Sequence, residues 1–286
     1  IYFSGFIVRA FRWKTLLLER PFLCVKNLLG IIFVGNFINS FMPARAGDFY
    51  RAHLLGKDQD IKRVEVLASV VLERVIDGFI VFFFLLFTVL CFYSQPWLFK
   101  VVTTVGIIFL GSFVALFSFS RYVDPDKFCQ QLENLALKLP TKLQNPVIKF
   151  INFFKTHTIS FINGLDIFKH PSLLLKSMGY TTVIWLIEGL ISWVIIKNFG
   201  ISISFLAAIF VMCLLVFSSL IPSTSVFVGP YQYAYIVALG IFGVTKEKAL
   251  AIALANQIVI MLPTVTAGLF YLLKYHINIK NIKTEI

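Results

Sequence analysis

Val64–Phe92, Lys100–Ser120 and Leu173–Lys197 are apolar runs of bilayer length, and Ala249–Leu273 is a fourth, interrupted by Pro263. A hydrocarbon core about 30 Å thick asks for about 20 apolar residues per helix. Each run is therefore expected to be a membrane-crossing helix. Composition agrees: of 286 residues, 58% are hydrophobic and 14% charged, against about 45–50% and about 25% in a soluble domain. One soluble core could not hide that much apolar surface.

Three further apolar runs are shorter or broken. Leu28–Phe41 contains Gly30, Gly35, Asn36 and Asn39; Phe205–Ile221 stops at Pro222; Tyr231–Val244 follows Gly229-Pro230. These read as broken or re-entrant helices. The expected fold is an all-α polytopic membrane protein, one domain over residues 1–286, with about six to eight membrane segments at bilayer length.

The breaks recur in matched places. In the first half a short apolar segment reaches Pro43, Gly47 follows, and then the long run from Val64; in the second the markers are Pro222 and Gly229, followed by the run from Ala249. This suggests an internal repeat. Unpaired backbone at membrane depth is tolerated only where protein buries it or a wet cavity is lined by it, so paired breaks point to a shared central cavity. The plainer alternative is that Pro43 and Pro222 simply end helices.

Residues 121–170 differ. Apolar positions at near-helical spacing, among them Val147, Ile151, Phe154, Phe161, Leu165 and Phe168, alternate with lysines. That pattern predicts basic amphipathic helices on the membrane surface, broken between Pro140 and Pro146, although a basic linker would also fit.

Lys and Arg outnumber Asp and Glu by 26 to 14, for a net charge of +12. The charges flank apolar runs, so an anionic membrane face or lipid headgroup is the expected partner and nucleic acid is not. If every run crosses, Arg45, Arg51, Lys57, Lys62, Arg63, segment 121–170 and the C-terminal lysines share a face, which the positive-inside rule makes cytoplasmic; Arg12, Lys14, Arg20 and Lys26 fall opposite. Cys24, Cys91, Cys129 and Cys213 are scattered, and His53, His157, His170 and His276 form no ligand-spaced pair, so neither disulfide, metal nor cofactor is expected. Ile1–Arg9 reads as the tail of an apolar helix, which suggests a truncated N-terminus.

Within the first long run stand Glu73, Arg74 and Asp77. Each costs about 2.5–3.5 kcal/mol at the bilayer centre on insertion scales. Glu73 and Asp77 are one turn apart and repel; Arg74 can reach Asp77, and the trio is left one charge negative. Arg45 and Arg51, from the preceding element, are the expected suppliers of positive charge, giving a buried network of Arg45, Asp48, Arg51, Glu73, Arg74 and Asp77. Such a network either receives a charged headgroup or locks two helices. Glu188 is a lone acid mid-helix, either facing a cavity or a neutral spectator.

Taken together, Pro43-Ala-Arg-Ala-Gly-Asp-Phe-Tyr-Arg51, Leu72-Glu-Arg-Val-Ile-Asp77, Trp185-Leu-Ile-Glu188 and Pro222 through Gly229 resemble the transmembrane-region family of lysylphosphatidylglycerol synthases, a flippase-like membrane domain. The resemblance covers nearly the whole chain and implies an inner-membrane, multi-pass protein that moves or handles lipids with polar headgroups. The family's aminoacyl transfer resides in a separate soluble domain and is not implied here. Two positions depart from the pattern: Gln232 stands where an acid is usual and Gln257 where an arginine is usual. Two neutral amides are what a buried ion pair leaves behind when both partners are replaced.

Lipid translocation is the leading expectation, with no catalytic residues and with Arg45, Asp48, Arg51, Glu73, Arg74, Asp77, Glu188, Gln232 and Gln257 as headgroup or cavity residues. One alternative is a membrane glycosyltransferase using Asp58-Gln-Asp60 or Asp124-Pro-Asp126 to hold a cation. Another is a non-catalytic scaffold subunit; a second copy of the chain is an allowed partner in either case.

Overall fold

The computed structural model describes residues 1–42, 45–59, 61–92, 96–124, 126–127, 130, 134, 137, 141–218, 229–275 and 277. Pro43 and Pro222 therefore lie outside the described residues, as do Asp60, Cys129, Pro140 and His276.

All regular structure among the described residues is helical. The helices are α1 (Tyr2–Leu16), α2 (Val25–Phe41), α3 (Ala46–Gln59), α4 (Arg63–Phe92), α5 (Pro96–Tyr122), α6 (Thr141–Gly164), α7 (Pro171–Asn198), α8 (Phe205–Ser218), α9 (Pro230–Gly240) and α10 (Lys246–Lys274), with a short 3-10 turn at Asp166–Lys169 before α7. Four of them, α4, α5, α7 and α10, are long and apolar enough to cross a membrane, and α2 and α8 are shorter apolar helices. The four expected runs fall on these four helices; of the short runs, Leu28–Phe41 lies in α2, which is continuous through Gly30, Gly35, Asn36 and Asn39 rather than broken there, and the other two begin in α8 and α9. Pro263 lies inside α10 without ending it.

The expected break between Pro140 and Pro146 is corrected by the structure: α6 begins at Thr141 and runs through Pro146. A proline in the second turn forgoes one intrahelical hydrogen bond but leaves the rest of the helix intact. α6 packs along α4, with Ile151 and Ile162 buried and Phe153 exposed.

The packing has an internal symmetry. α1 lies against α7, the helix that opens the second half. The short helix of each half then packs on the long helix of the other, α2 on α10 and α8 on α4. Within each half the order repeats: α2 on α3 and α3 on α4, then α8 on α9 and α9 on α10. Two apolar cores follow from this plan. One joins α1, α2, α3 and the first half of α4, including Trp13, Leu28, Leu55 and Leu72. The other joins the second half of α4 with α5, α8, α9 and α10, including Leu85, Phe210, Tyr235 and Ile252. α4 spans both, and its charged stretch lies at the seam.

Gly47, expected to mark a break, lies instead in the first turn of α3. It is needed for contact: a Cβ there would strike the Gly35 carbonyl and the Asn39 side chain, so α2 and α3 touch backbone to backbone. Gly229 does mark a break. Its φ of 103° lies in the left-handed region, and Pro230 follows as the first residue of α9.

Candidate functional site

Three arginines and three carboxylates meet where α1, α3 and α4 cross. Glu73 and Asp77 lie one turn apart on α4 and face the same way. The Arg12 guanidinium sits between them, 2.9 Å from Glu73 and 2.5 Å from Asp77. It donates also to the Thr181 hydroxyl on α7 at 3.2 Å. On the other side of Glu73, Arg51 donates through both terminal nitrogens, at 2.9 and 3.3 Å. Its guanidinium lies 4.3 Å from the centre of the Trp13 ring, whose Nε1–H is held by Ser69 Oγ at 3.2 Å.

Arg74 points the other way, from α4 to α3, and donates Nε and Nη2 to the two Asp48 oxygens at 2.9 and 2.8 Å. Its Nη1 is 3.7 Å from Asp77. Asp77 also accepts the Trp185 indole N–H at 3.1 Å. Asp48 occupies the first turn of α3, where a carboxylate complements the helix dipole. Asn39 holds that end in place: its carbonyl oxygen accepts the Gly47 N–H at 2.8 Å and its amide donates to Asp48 at 3.1 Å. Arg12, Arg51, Asp48, Glu73 and Asp77 are all nearly inaccessible to solvent. Charges buried this deeply persist only when paired, and each of these has a charged partner, although the Nε–H groups of Arg12 and Arg51 have no hydrogen-bond partner among the described residues.

Of the expected network, the structure brings Asp48, Arg51, Glu73, Arg74 and Asp77 into mutual contact, while Arg45 lines the hollow beside them; one further arginine joins. Arg12, placed by the sequence among the charges of an outer face, is inside the bundle and supplies the cation between Glu73 and Asp77. Arg51 is also inside, so neither residue is a loop charge that the positive-inside rule counts. Glu188, expected to stand alone, pairs with Arg9 of α1 at 2.8 Å.

Beside the network is a hollow of about 510 Å³. Its polar wall includes Arg9, Asn39, Arg45, Arg74, Asp77 and Glu188; its apolar wall includes Phe109, Met212, Leu215 and Phe217. Residues on both sides of Pro43 and Pro222 line it, Asn39 and Arg45 around the first and Phe217 and Tyr231 around the second. Arg45 holds its place in the left-handed region, at φ 52°, a conformation that costs an L-residue about 1–2 kcal/mol. Arg51 and Glu73 are absent from this wall; they lie behind it and support Arg74 and Asp77.

In the second half, Gln232 and Gln257 meet as the sequence implied for a vanished ion pair. Gln232 Nε2–H donates to Gln257 Oε1 at 2.7 Å, while Gln232 Oε1 accepts the Gly229 N–H at 2.7 Å and fixes the start of α9. Next to them Asn256, a residue the sequence did not single out, donates its amide to Tyr231 at 2.9 Å and also to Tyr235. Arg9, Arg12, Trp185 and Asn256 were all missed. Arg9 and Arg12 carried the signal already used for Glu73 and Asp77, ionisable residues at helical spacing in an apolar segment.

The Asp-x-Asp motifs lie elsewhere. Asp124 accepts the backbone N–H groups of Lys127 and Asp126, at 3.2 and 3.1 Å, and the first of these bonds holds its carboxyl below the usual range. Asp126 pairs with Lys155 at 2.8 Å. Asp58 accepts from Gln59 at 2.5 Å, and Asp60 lies outside the described residues.

Comparison with known proteins agrees with this architecture. The profile of the lysylphosphatidylglycerol synthase TM region matches residues 1–268. A UPF0104 membrane protein of Methanocaldococcus jannaschii is 25% identical over 279 residues, covering 91% of this chain and 78% of the relative. No solved structure matches. With its buried arginine–carboxylate network and all-helical plan, the chain is a membrane protein of the lysylphosphatidylglycerol synthase transmembrane-region family.

Proposed function

We propose that the chain handles lipids with charged or polar headgroups and moves the headgroup through the bundle, in a cell (inner) membrane. The observation that carries this reading is the hollow, lined by the ends of α2 and α8 and the starts of α3 and α9, with a cationic balance in and behind its wall. Among the described residues there, Arg9, Arg12, Arg45, Arg51 and Arg74 outnumber Asp48, Glu73, Asp77 and Glu188 by one. A phosphate-bearing headgroup complements the positive charge of this wall, with Arg45 and Arg74 as its first contacts. The apolar wall accepts the top of the acyl chains, which otherwise stay in the bilayer. Asp48, Glu73 and Asp77 keep the arginines aimed, and Gln232 and Gln257 replace charge by a neutral link between α9 and α10. The reading assigns no covalent step and no cofactor to this chain.

The test is purified protein in liposomes with a phosphatidylglycerol labelled in the headgroup. Movement between leaflets is expected for the wild type and is expected to fall at least severalfold for Arg45→Gln, which keeps a polar side chain and removes the charge. Equal rates for the two, or none for the wild type, would sink the reading.

A further inference from the structure

A second hollow, of about 250 Å³, lies beside the first between α1, α2, α7, α9 and α10. Tyr2, Phe6, Ser40, Gln257, Met261 and Thr264 line it alone, but Arg9, Asn36, Asn39, Glu188, Tyr231 and Ile260 belong to both walls. Those six residues are therefore the partition between the two spaces. The only ion pair in that partition, among the described residues, is Arg9–Glu188.

This pair is unlike the others around the hollow. Arg12 and Arg51 are each held by two or more polar contacts, with their side chains at 1% and 2% exposure. Arg9 makes a single contact with Glu188, and the two side chains are 18% and 17% exposed. The pair joins α1 to α7, the two helices related by the internal symmetry. Arg9 also has a seat that does not depend on Glu188, with its guanidinium 5.8 Å from the Phe6 ring centre and 6.0 Å from that of Trp185. It can therefore exchange one anion for another while staying where it is.

We propose that Arg9–Glu188 is an anion-operated partition that determines which headgroups pass from one hollow to the other. A phosphate entering the larger hollow replaces the Glu188 carboxylate on Arg9, Glu188 swings free, and the two spaces join. An uncharged headgroup offers no anion to make the exchange, so opening would strand both charges in a partly desolvated wall, and the partition stays shut. The apolar wall contributed by Phe109, Met212, Leu215 and Phe217 assigns the phosphate to a lipid headgroup rather than to the free ion. The inference rests on the translocation reading and adds to it the step at which headgroups are selected.

The test uses the full chain in liposomes with two labelled lipids of the same acyl chains, phosphatidylglycerol and an uncharged glycosyl-diacylglycerol. The wild type is expected to move the first and exclude the second. Glu188→Gln is expected to admit the uncharged lipid, raising its rate by about tenfold or more, the scale set by losing one charged hydrogen bond. The exchange Arg9→Glu with Glu188→Arg rebuilds the pair and is expected to restore exclusion, which a merely misfolded single variant would not permit. Unchanged discrimination in Glu188→Gln, or an exchange variant that behaves like the single one, overturns the partition while leaving translocation standing. A wild type that moves neither lipid overturns both. Admission of the uncharged lipid by the wild type when inorganic phosphate is added would show that the free ion works the partition, and would overturn the assignment to a headgroup.

Discussion

Arg12 lies between Glu73 and Asp77, 2.9 Å from one carboxylate and 2.5 Å from the other. Two acids one turn apart on a membrane helix would repel and would each carry an insertion penalty; the guanidinium of α1 turns them into one bridged unit. Arg51 completes Glu73 from behind, and Trp185 and Arg74 complete Asp77. The first helix of the chain is therefore tied to the fourth by charge rather than by apolar packing alone.

Removal of that bridge should be costly. Arg12→Met is expected to lower stability by about 3–5 kcal/mol, because it leaves two buried carboxylates facing each other. Arg20→Met, which breaks the more exposed pair with Glu65, should cost about 1 kcal/mol or less. Denaturation of both variants in detergent checks the contrast, and equal losses would refute it.

The contact between Gly35 and Gly47 gives a second test. Gly47→Ala pushes a methyl group into the Gly35 carbonyl and is expected to destabilise by about 1–3 kcal/mol through forced separation of α2 and α3. Gly179→Ala, where a Cβ meets nothing within 4 Å, should instead stabilise α7 by about 0.5–1 kcal/mol. Melting temperatures of the two variants should move in opposite directions.

Arg45 separates charge from backbone strain. Its φ of 52° is kept by alanine and relieved by glycine. Arg45→Gly should therefore be more stable than Arg45→Ala by about 1–2 kcal/mol, while both lose lipid movement to the same extent. A glycine variant no more stable than the alanine variant would show that the backbone is unstrained there.

The amide pair of the second half is expected to accept an ion pair in its place. Gln232→Glu alone keeps the Gly229 N–H bond but places an unpaired charge against Gln257, and Gln257→Arg alone does the converse. The double variant should recover much of both losses, with a coupling of about 0.5–3 kcal/mol in a double-mutant cycle. Additive losses would mean that the two side chains do not act as a unit.

Much of this architecture is legible without coordinates, because lipid as a solvent punishes errors severely. An apolar run of bilayer length has few alternatives to a helix, so α4, α5, α7 and α10 follow from hydropathy alone. The oddity of Glu73, Arg74 and Asp77 in such a run is equally plain, since their cost must be offset by partners. Gln232 and Gln257 could be linked because two departures from one family pattern, of opposite sign in charge, imply a contact.

The partners themselves were decided by tertiary packing. Arg12 and Arg9 lie far from Glu73 and Glu188 in sequence, and helical periodicity specifies a face without specifying which helix that face meets. Gly47 read as a break because glycine has the same letter whether it bends a chain or admits another backbone. The composition and order of the helices were thus set by transfer energetics, which act residue by residue along the chain. The pairing of charges and the hollow beside them were set by which helices touch, a property that exists only once the two halves have closed on each other.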